Sequence, residues 1–206
     1  MKPNFTGLGK KQIASLNQLA NFTREQGFYL AGGTALSLYF GHRKSVDLDW
    51  FSNGAMGDAL LFAKHIQDSG VNFETESASA GTLHGSINAV RATFLEYHYP
   101  FLNPLEAVSS PSFWIASLYD LACMKLSAIA QRGARKDLCD VYALGIKHRS
   151  LHEMIELYQR KYQIKDIGHV LYGLNYFDDA EQDRMPAMLW KVNWKTIKKT
   201  IQSWLK

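Results

Sequence analysis

The segment Ser45–Phe51, SVDLDWF, holds the two carboxylates best placed for chemistry. Residues two apart in a strand point to the same face. Asp47 and Asp49 therefore stand side by side, with Val46, Leu48 and Trp50 on the opposite face. Adjacent carboxylates repel, and one titrates upward unless a cation sits between them. Hard oxygen ligands at this spacing suit Mg²⁺, which keeps several waters and takes further ligands from substrate phosphates. Two solvated aspartates on an edge strand fit the same pattern, and the spacing alone does not choose.

Gly32-Gly33-Thr34 lies just upstream, a tight turn between a short apolar strand and a helix beginning at Ala35. Two glycines let the backbone approach a ligand closely, and a helix N-terminus offers unpaired N–H groups to an anion. Thr34 is suited to cap that helix or to donate to a phosphate oxygen. No lysine follows the glycines, so this is not a Walker A loop, and the G-x-G-x-x-G fingerprint is absent. Alone the tripeptide reads as a turn and a cap. With the aspartates it reads as a phosphate cradle followed by a metal site. Arg43 and Lys44, in the intervening loop, are placed to touch phosphate.

A third cluster lies in KLSAIAQRGARKDLCDVYAL. Lys125, Ile129 and Arg132 share one helix face, and after a break at Gly133 the next helix carries Asp137, Asp140 and Leu144 on one face. Charges of both signs on facing helices need partners. They form either a structural ion-pair network or a site in which Lys125 binds triphosphate and an aspartate orients it or acts as base. The residues themselves leave both open.

The remaining candidates read more plainly. His148 and His152 have helical spacing, but Ser150 between them reads as a helix start, against a zinc pair. Trp190, Trp194, Ile197, Ile201 and Trp204 form a core stripe, with lysines on the other face that would attract RNA. Cys123 and Cys139 read as small buried hydrophobes. Asp178, Asp179 and Glu181 serve as helix caps or as partners of basic groups.

Periodicity and turn residues give the elements that position these groups. An amphipathic helix over Gln12–Gln26 ends at Gly27, followed by a strand over Phe28–Ala31 and a helix over Ala35–Phe40. After the aspartate strand come a helix over Asp58–Ser69 and strands near Val71–Glu76, Thr82–Ile87 and Ala89–Tyr97. From Phe113 the pattern is helical: Phe113–Gln131, Arg135–Ile146, Leu151–Tyr162, Ile167–Tyr176 and Trp190–Leu205. A mixed α/β half over residues 1–108 is thus followed by a helical half over 109–206 that contributes the Lys and Asp cluster.

Composition agrees with a globular protein. Of 206 residues, 47% are hydrophobic and 20% charged, outside the disordered range. The net charge is +4, from −1 over residues 1–110 and +5 over 111–206, too weak alone to argue for nucleic acid. Two cysteines exclude a disulfide scaffold and a four-thiolate zinc site. No apolar run approaches a membrane span of roughly 18 residues, and no secretion signal is read, so a cytoplasmic protein without membrane association is expected.

LAGGTALSLYFGHRKSVDLDWFS, KLSAIAQRGARKDLCDVYAL, and YFDDAE with MPAMLW closely resemble the AbiEii/AbiGii-type nucleotidyltransferases, a family that includes toxins of toxin–antitoxin and phage-defence systems. The likeness runs from about Leu30 to Trp190, with three motifs in order. It implies an α+β fold, a polymerase β-like mixed-sheet core followed by a C-terminal helical domain. It implies that Gly32, Gly33 and Thr34 hold NTP phosphates, that Asp47 and Asp49 bind Mg²⁺, and that Lys125 is the motif lysine. Asp137 and Asp140 fall in the final acidic motif, with Asp140 favoured as the active one. Larger relatives add a third carboxylate from a later strand, where Glu96 is the only acid here.

The activity implied is transfer of an NMP from an NTP to an acceptor hydroxyl, on a tRNA end or a protein side chain, with a cognate antitoxin as partner. The alternatives are a non-catalytic nucleotide- or partner-binding module of the same fold, or a metal-dependent phosphoesterase.

Overall fold

Leu48 and Trp50 alternate with Asp49 and Phe51, and that pattern makes a strand with one apolar face. In the computed structural model, which describes residues 1–206, it is β2 (Leu48–Ser52), the middle strand of a seven-stranded sheet. On one side β1 (Tyr29–Ala31) runs antiparallel to it; on the other, β5 (Val90–Glu96) runs parallel. Beyond β5 follow β4 (Thr82–Ile87) and β3 (Glu74–Ser79), each antiparallel to its neighbour. Beyond β1 lie a parallel β7 (Ser112–Ile115) and an antiparallel edge strand, β6 (Glu106–Ser109).

Leu48, Trp50 and Phe94 are fully buried on one face of the sheet. Phe28, and Phe62 of α3 (Ala59–Asp68), pack edge-on against Phe94 there. Phe22 of α1 (Lys10–Glu25) packs in turn on Phe62. The alternate residues, Asp49 and Thr93, face the other way. They look toward α2 (Gly32–Phe40), α4 (Leu118–Arg132) and α5 (Arg135–Lys147), whose side chains line the same grooves or lie beside them.

The helical half continues with α6 (Leu151–Tyr162), α7 (Gly168–Asn175), α8 (Asp178–Gln182) and α9 (Trp194–Trp204). Local signals set these boundaries. Ser150 opens α6 with a reciprocal capping box to Glu153. Ser117 caps α4, and Gly133 closes it in the left-handed conformation.

The division expected at 108/109 falls inside the β6–β7 hairpin. Ser-Phe-Trp-Ile at 112–115 is strand, not the start of a helix, and α4 begins at Leu118. The two halves share one continuous apolar cluster, from Leu16 and Leu30 through Trp50 and Phe94 to Leu126, Leu144 and Ile197. Lys161 reinforces the junction: its buried Nζ meets Asp120 Oδ1 at 2.7 Å and Pro100 O at 2.8 Å. Of the expected tryptophan stripe, Ile197 and Ile201 are buried, and Trp204 stacks on Tyr142. No helix is long and apolar enough to cross a membrane.

Candidate active site

The strand β1 ends at Ala31, which pairs with Asp49 of β2. The chain then enters α2 at Gly32, three residues earlier than expected, so Gly32, Gly33 and Thr34 are the first turn of the helix rather than a turn before it. Gly32 has φ +67°, and a Cβ there would lie 2.7 Å from Asp49 Oδ2. A Cβ at Gly33 would collide with the Arg43 guanidinium. Only glycine fits at either position. Ala31 offers no side-chain cap, so the free N–H groups of this turn open beside the Asp49 carboxylate.

Thr34 is 1% exposed and does not cap the helix: its hydroxyl donates to the Asp47 carbonyl and meets Ser45 Oγ at 2.8 Å. The contact clamps the backbone of Asp47 against α2. Asp47 itself precedes the strand, which starts at Leu48, yet it and Asp49 are half-buried in the same groove. Val46 departs from the expected burial and is 60% exposed.

Burial raises the Asp49 pKa; Lys125, Lys136 and Arg132 lower it, Asp47 raises it further, and the net shift is upward. A cation relieves that arrangement. Two oxygen-donor side chains in a polar groove suit Mg²⁺, whose remaining ligands come from water and phosphate.

Behind the aspartates lies a buried ion network. Lys125 Nζ sits between Asp137 Oδ1 at 2.8 Å and Asp140 Oδ2 at 2.7 Å. Arg132 holds Asp137 through Nε at 2.7 Å and Nη2 at 3.1 Å. Asp140 also takes Arg43 Nε at 2.7 Å, Arg43 Nη2 at 2.8 Å and His42 Nε2 at 2.7 Å. Burial works to raise the Asp140 pKa, but Arg43, Lys125 and the bonds from His42 and Arg43 hold it well below the usual carboxylate range. Asp140, expected as the active residue of the acidic motif, thus lies fully buried and paired with Arg43, Lys125 and His42, an arrangement that suits a positioning role. Burial opposes the charge on Lys125, yet Asp140 and Asp137 keep it a cation.

The loop cations expected to touch phosphate are placed differently from one another. The buried guanidinium of Arg43 pairs with Asp140 and packs against Gly33. Lys44 is exposed and lines neither groove. Its N–H donates to Ala187 O, while Leu189 and Trp190 donate to His42 O. The MPAMLW segment is thus a strap over the loop that carries His42 and Arg43. Glu181 of the YFDDAE segment bonds Trp194, Lys198 and Arg135.

Glu96 does not complete the aspartate pair. Thr93 stands opposite Asp49, and Glu96 is three residues further along β5, opposite Ser52 and on the other face. Its carboxylate accepts from the Met56 N–H and meets His98 Nε2 at 3.0 Å; the first of these bonds, then the second, lowers its pKa.

Two grooves flank Asp49 and Arg132, which line both. One, about 270 Å³, has no apolar lining; Asp47 and Asp49 face Arg132 and Lys136 across it, with His84 and Thr93 beside them. The other, about 250 Å³, runs from Gly32 and Lys125 over Phe51, Leu95, Tyr97 and Met124 to Ser127 and Gln131. Thr93, His84, Glu76 and Lys136 were not singled out from the sequence. Only the strand pairing and the packing of α5 bring them to the aspartates.

A family model described as nucleotidyl transferase AbiEii toxin, type IV TA system, matches residues 15–102 and 85–203. An uncharacterized protein of Aquifex aeolicus is 36% identical over 179 residues, covering 85% of this chain and 86% of that protein. Among solved structures, the nucleotidyltransferase toxin MenT4 of Mycobacterium tuberculosis superposes with a TM-score of 0.63 at 14% identity, over 94% of this chain and 80% of MenT4. An antigenic nucleotidyltransferase-like protein of Paracoccidioides brasiliensis gives 0.50 at 14% identity, over 80% of this chain and 94% of the other. These two structural likenesses bear on the fold alone.

Proposed function

The chain belongs to the AbiEii family of nucleotidyl transferase toxins of type IV toxin–antitoxin systems, and we propose that it moves an NMP from an NTP to an acceptor hydroxyl with Mg²⁺ held by Asp47 and Asp49. The observation that carries this reading is the approach of Gly32 to Asp49: uncapped helix N–H groups open directly beside a carboxylate pair. Bound Mg²⁺ supplies charge neutralisation on the phosphates.

The chain's own groups divide the remaining work. The first turn of α2 binds the outer phosphates, and Thr34 fixes Asp47 by its backbone. Lys125, kept charged by Asp137 and Asp140, and half-exposed Arg132 offset the charge that develops on pyrophosphate. Asp137, Asp140, His42 and Arg43 orient those cations. The partly apolar groove over Phe51 and Met124 takes the nucleoside. The acceptor is a tRNA end or a protein side chain, and a cognate antitoxin restrains the activity, in toxicity or phage defence.

Pyrophosphate release with each NTP tests this reading. Release that requires Mg²⁺ and is lost in folded Asp49→Asn is the expected result. NTP-dependent thermal stabilisation without release would leave a nucleotide-binding module, and nucleotide hydrolysed but never transferred would indicate a phosphoesterase.

A further inference from the structure

Strand pairing places four polar side chains in one row across the sheet: Asp49 of β2 opposite Thr93 of β5, Thr93 opposite His84 of β4, and His84 opposite Ser77 of β3. All four line the groove without apolar lining. His84 and Asp49 are two strand spacings apart, about 10 Å between backbones. That gap accommodates an acceptor hydroxyl and the phosphorus it attacks. His84 is half-buried, and its Nδ1 lies 3.2 Å from Thr93 Oγ1. With Nδ1–H donating to Thr93, Nε2 carries a lone pair and bonds no other protein group.

We propose that His84 is the general base for the acceptor hydroxyl, an assignment that rests on the transferase reading above. The acceptor proton passes to His84 Nε2, directly or through one water, as the acceptor oxygen bonds to the α-phosphorus. The bond from that phosphorus to the bridging oxygen breaks, and pyrophosphate leaves with the electron pair. The imidazolium then returns its proton to solvent.

The other charged groups of the groove suit the role less well. Asp47 and Asp49 of β2 serve as the cation-binding pair. Arg91 of β5, Arg132 of α4 and Lys136 of α5 are cations. Glu76 of β3, turned into the groove where the register shifts between Thr75 and Ser77, is exposed and one strand further out. Thr93 is the positioning residue.

Kinetics of His84→Ala in the full-length protein, with Mg²⁺ and the NTP that wild type uses best, test the assignment. The rate should fall about 10²- to 10⁴-fold, with KM for NTP and the NTP-dependent melting shift unchanged. Added imidazole should restore part of the rate, and the acid limb of the wild-type pH–rate profile should vanish. His84→Asn, which stays polar, should be as slow as His84→Ala, separating proton transfer from packing. A rate within about threefold of wild type, no rescue by imidazole, or loss of the limb in Glu76→Gln but not in His84→Ala would each overturn it. A wild-type protein that binds NTP yet releases no pyrophosphate would instead defeat the transferase reading itself.

Discussion

Arg43 and Asp140, 97 residues apart in the chain, form a bidentate pair, Nε to Oδ1 at 2.7 Å and Nη2 to Oδ2 at 2.8 Å. The pair joins the loop after α2 to α5, and so fixes the first turn of α2 against the helical half. Asp140→Ala would leave Arg43 and Lys125 short of a buried partner. Removing one member of such a network costs about 3–5 kcal/mol. Urea unfolding should show a midpoint lowered accordingly, with loss of the native fold at the upper end. An unchanged midpoint would contradict the network's role.

The same network sets an acid limit on stability. Burial raises the pKa values of Asp137 and Asp140, but Lys125 and Arg132 for the first, and Arg43 and Lys125 for the second, bring both below normal. A carboxylate whose folded value is depressed stabilises the fold above its unfolded value of about 3.9, and that contribution is lost as pH falls through the folded value. Melting temperature should therefore drop steeply below about pH 4. In Asp137→Asn, already destabilised at neutral pH, the drop should be shallower.

Asp49 has the opposite sign. Its folded pKa is raised, so its ionised form opposes folding above that value until a cation arrives. Asp49→Asn should melt no lower than wild type without divalent cation, and should lose the extra stabilisation that Mg²⁺ with NTP gives wild type. Paired thermal melts decide this. A lower apo melting temperature would mean that Asp49 is structural.

Gly32→Ala tests the helix start. A Cβ at φ +67°, 2.7 Å from Asp49 Oδ2, must displace either the turn or the carboxylate. A displacement near 1 Å costs about 10²-fold in rate, whereas a left-handed non-glycine residue costs about 1–3 kcal/mol in stability. Activity should collapse while the protein still folds. Full activity would separate the turn from catalysis.

Much of this site was legible from local pattern. The alternation in Leu48-Asp49-Trp50 placed Asp49 on a strand with its apolar neighbours buried, and Ser150 with Glu153 marked the start of α6. Partnership over long separations was not legible. Nothing in the local pattern shows that Arg43, 97 residues away, shares Asp140 with Lys125. Thr93 and His84 have no signal of their own, because parallel pairing of β2 with β5 places Thr93 beside Asp49 and the β4–β5 pair then adds His84. The strand at 112–115 carries no local signal, because an apolar run followed by a helix has no period that marks the switch.

The most direct measurement is transfer of label from each α-³²P-NTP, with Mg²⁺, to total bacterial RNA and to protein, followed in separate fractions beside Asp49→Asn. Label should appear in one macromolecular fraction with wild type and vanish with the variant, and that fraction names the acceptor class. Equal labelling by Asp49→Asn, or label in neither fraction while NTP still binds, would contradict nucleotidyl transfer at the Asp47–Asp49 pair.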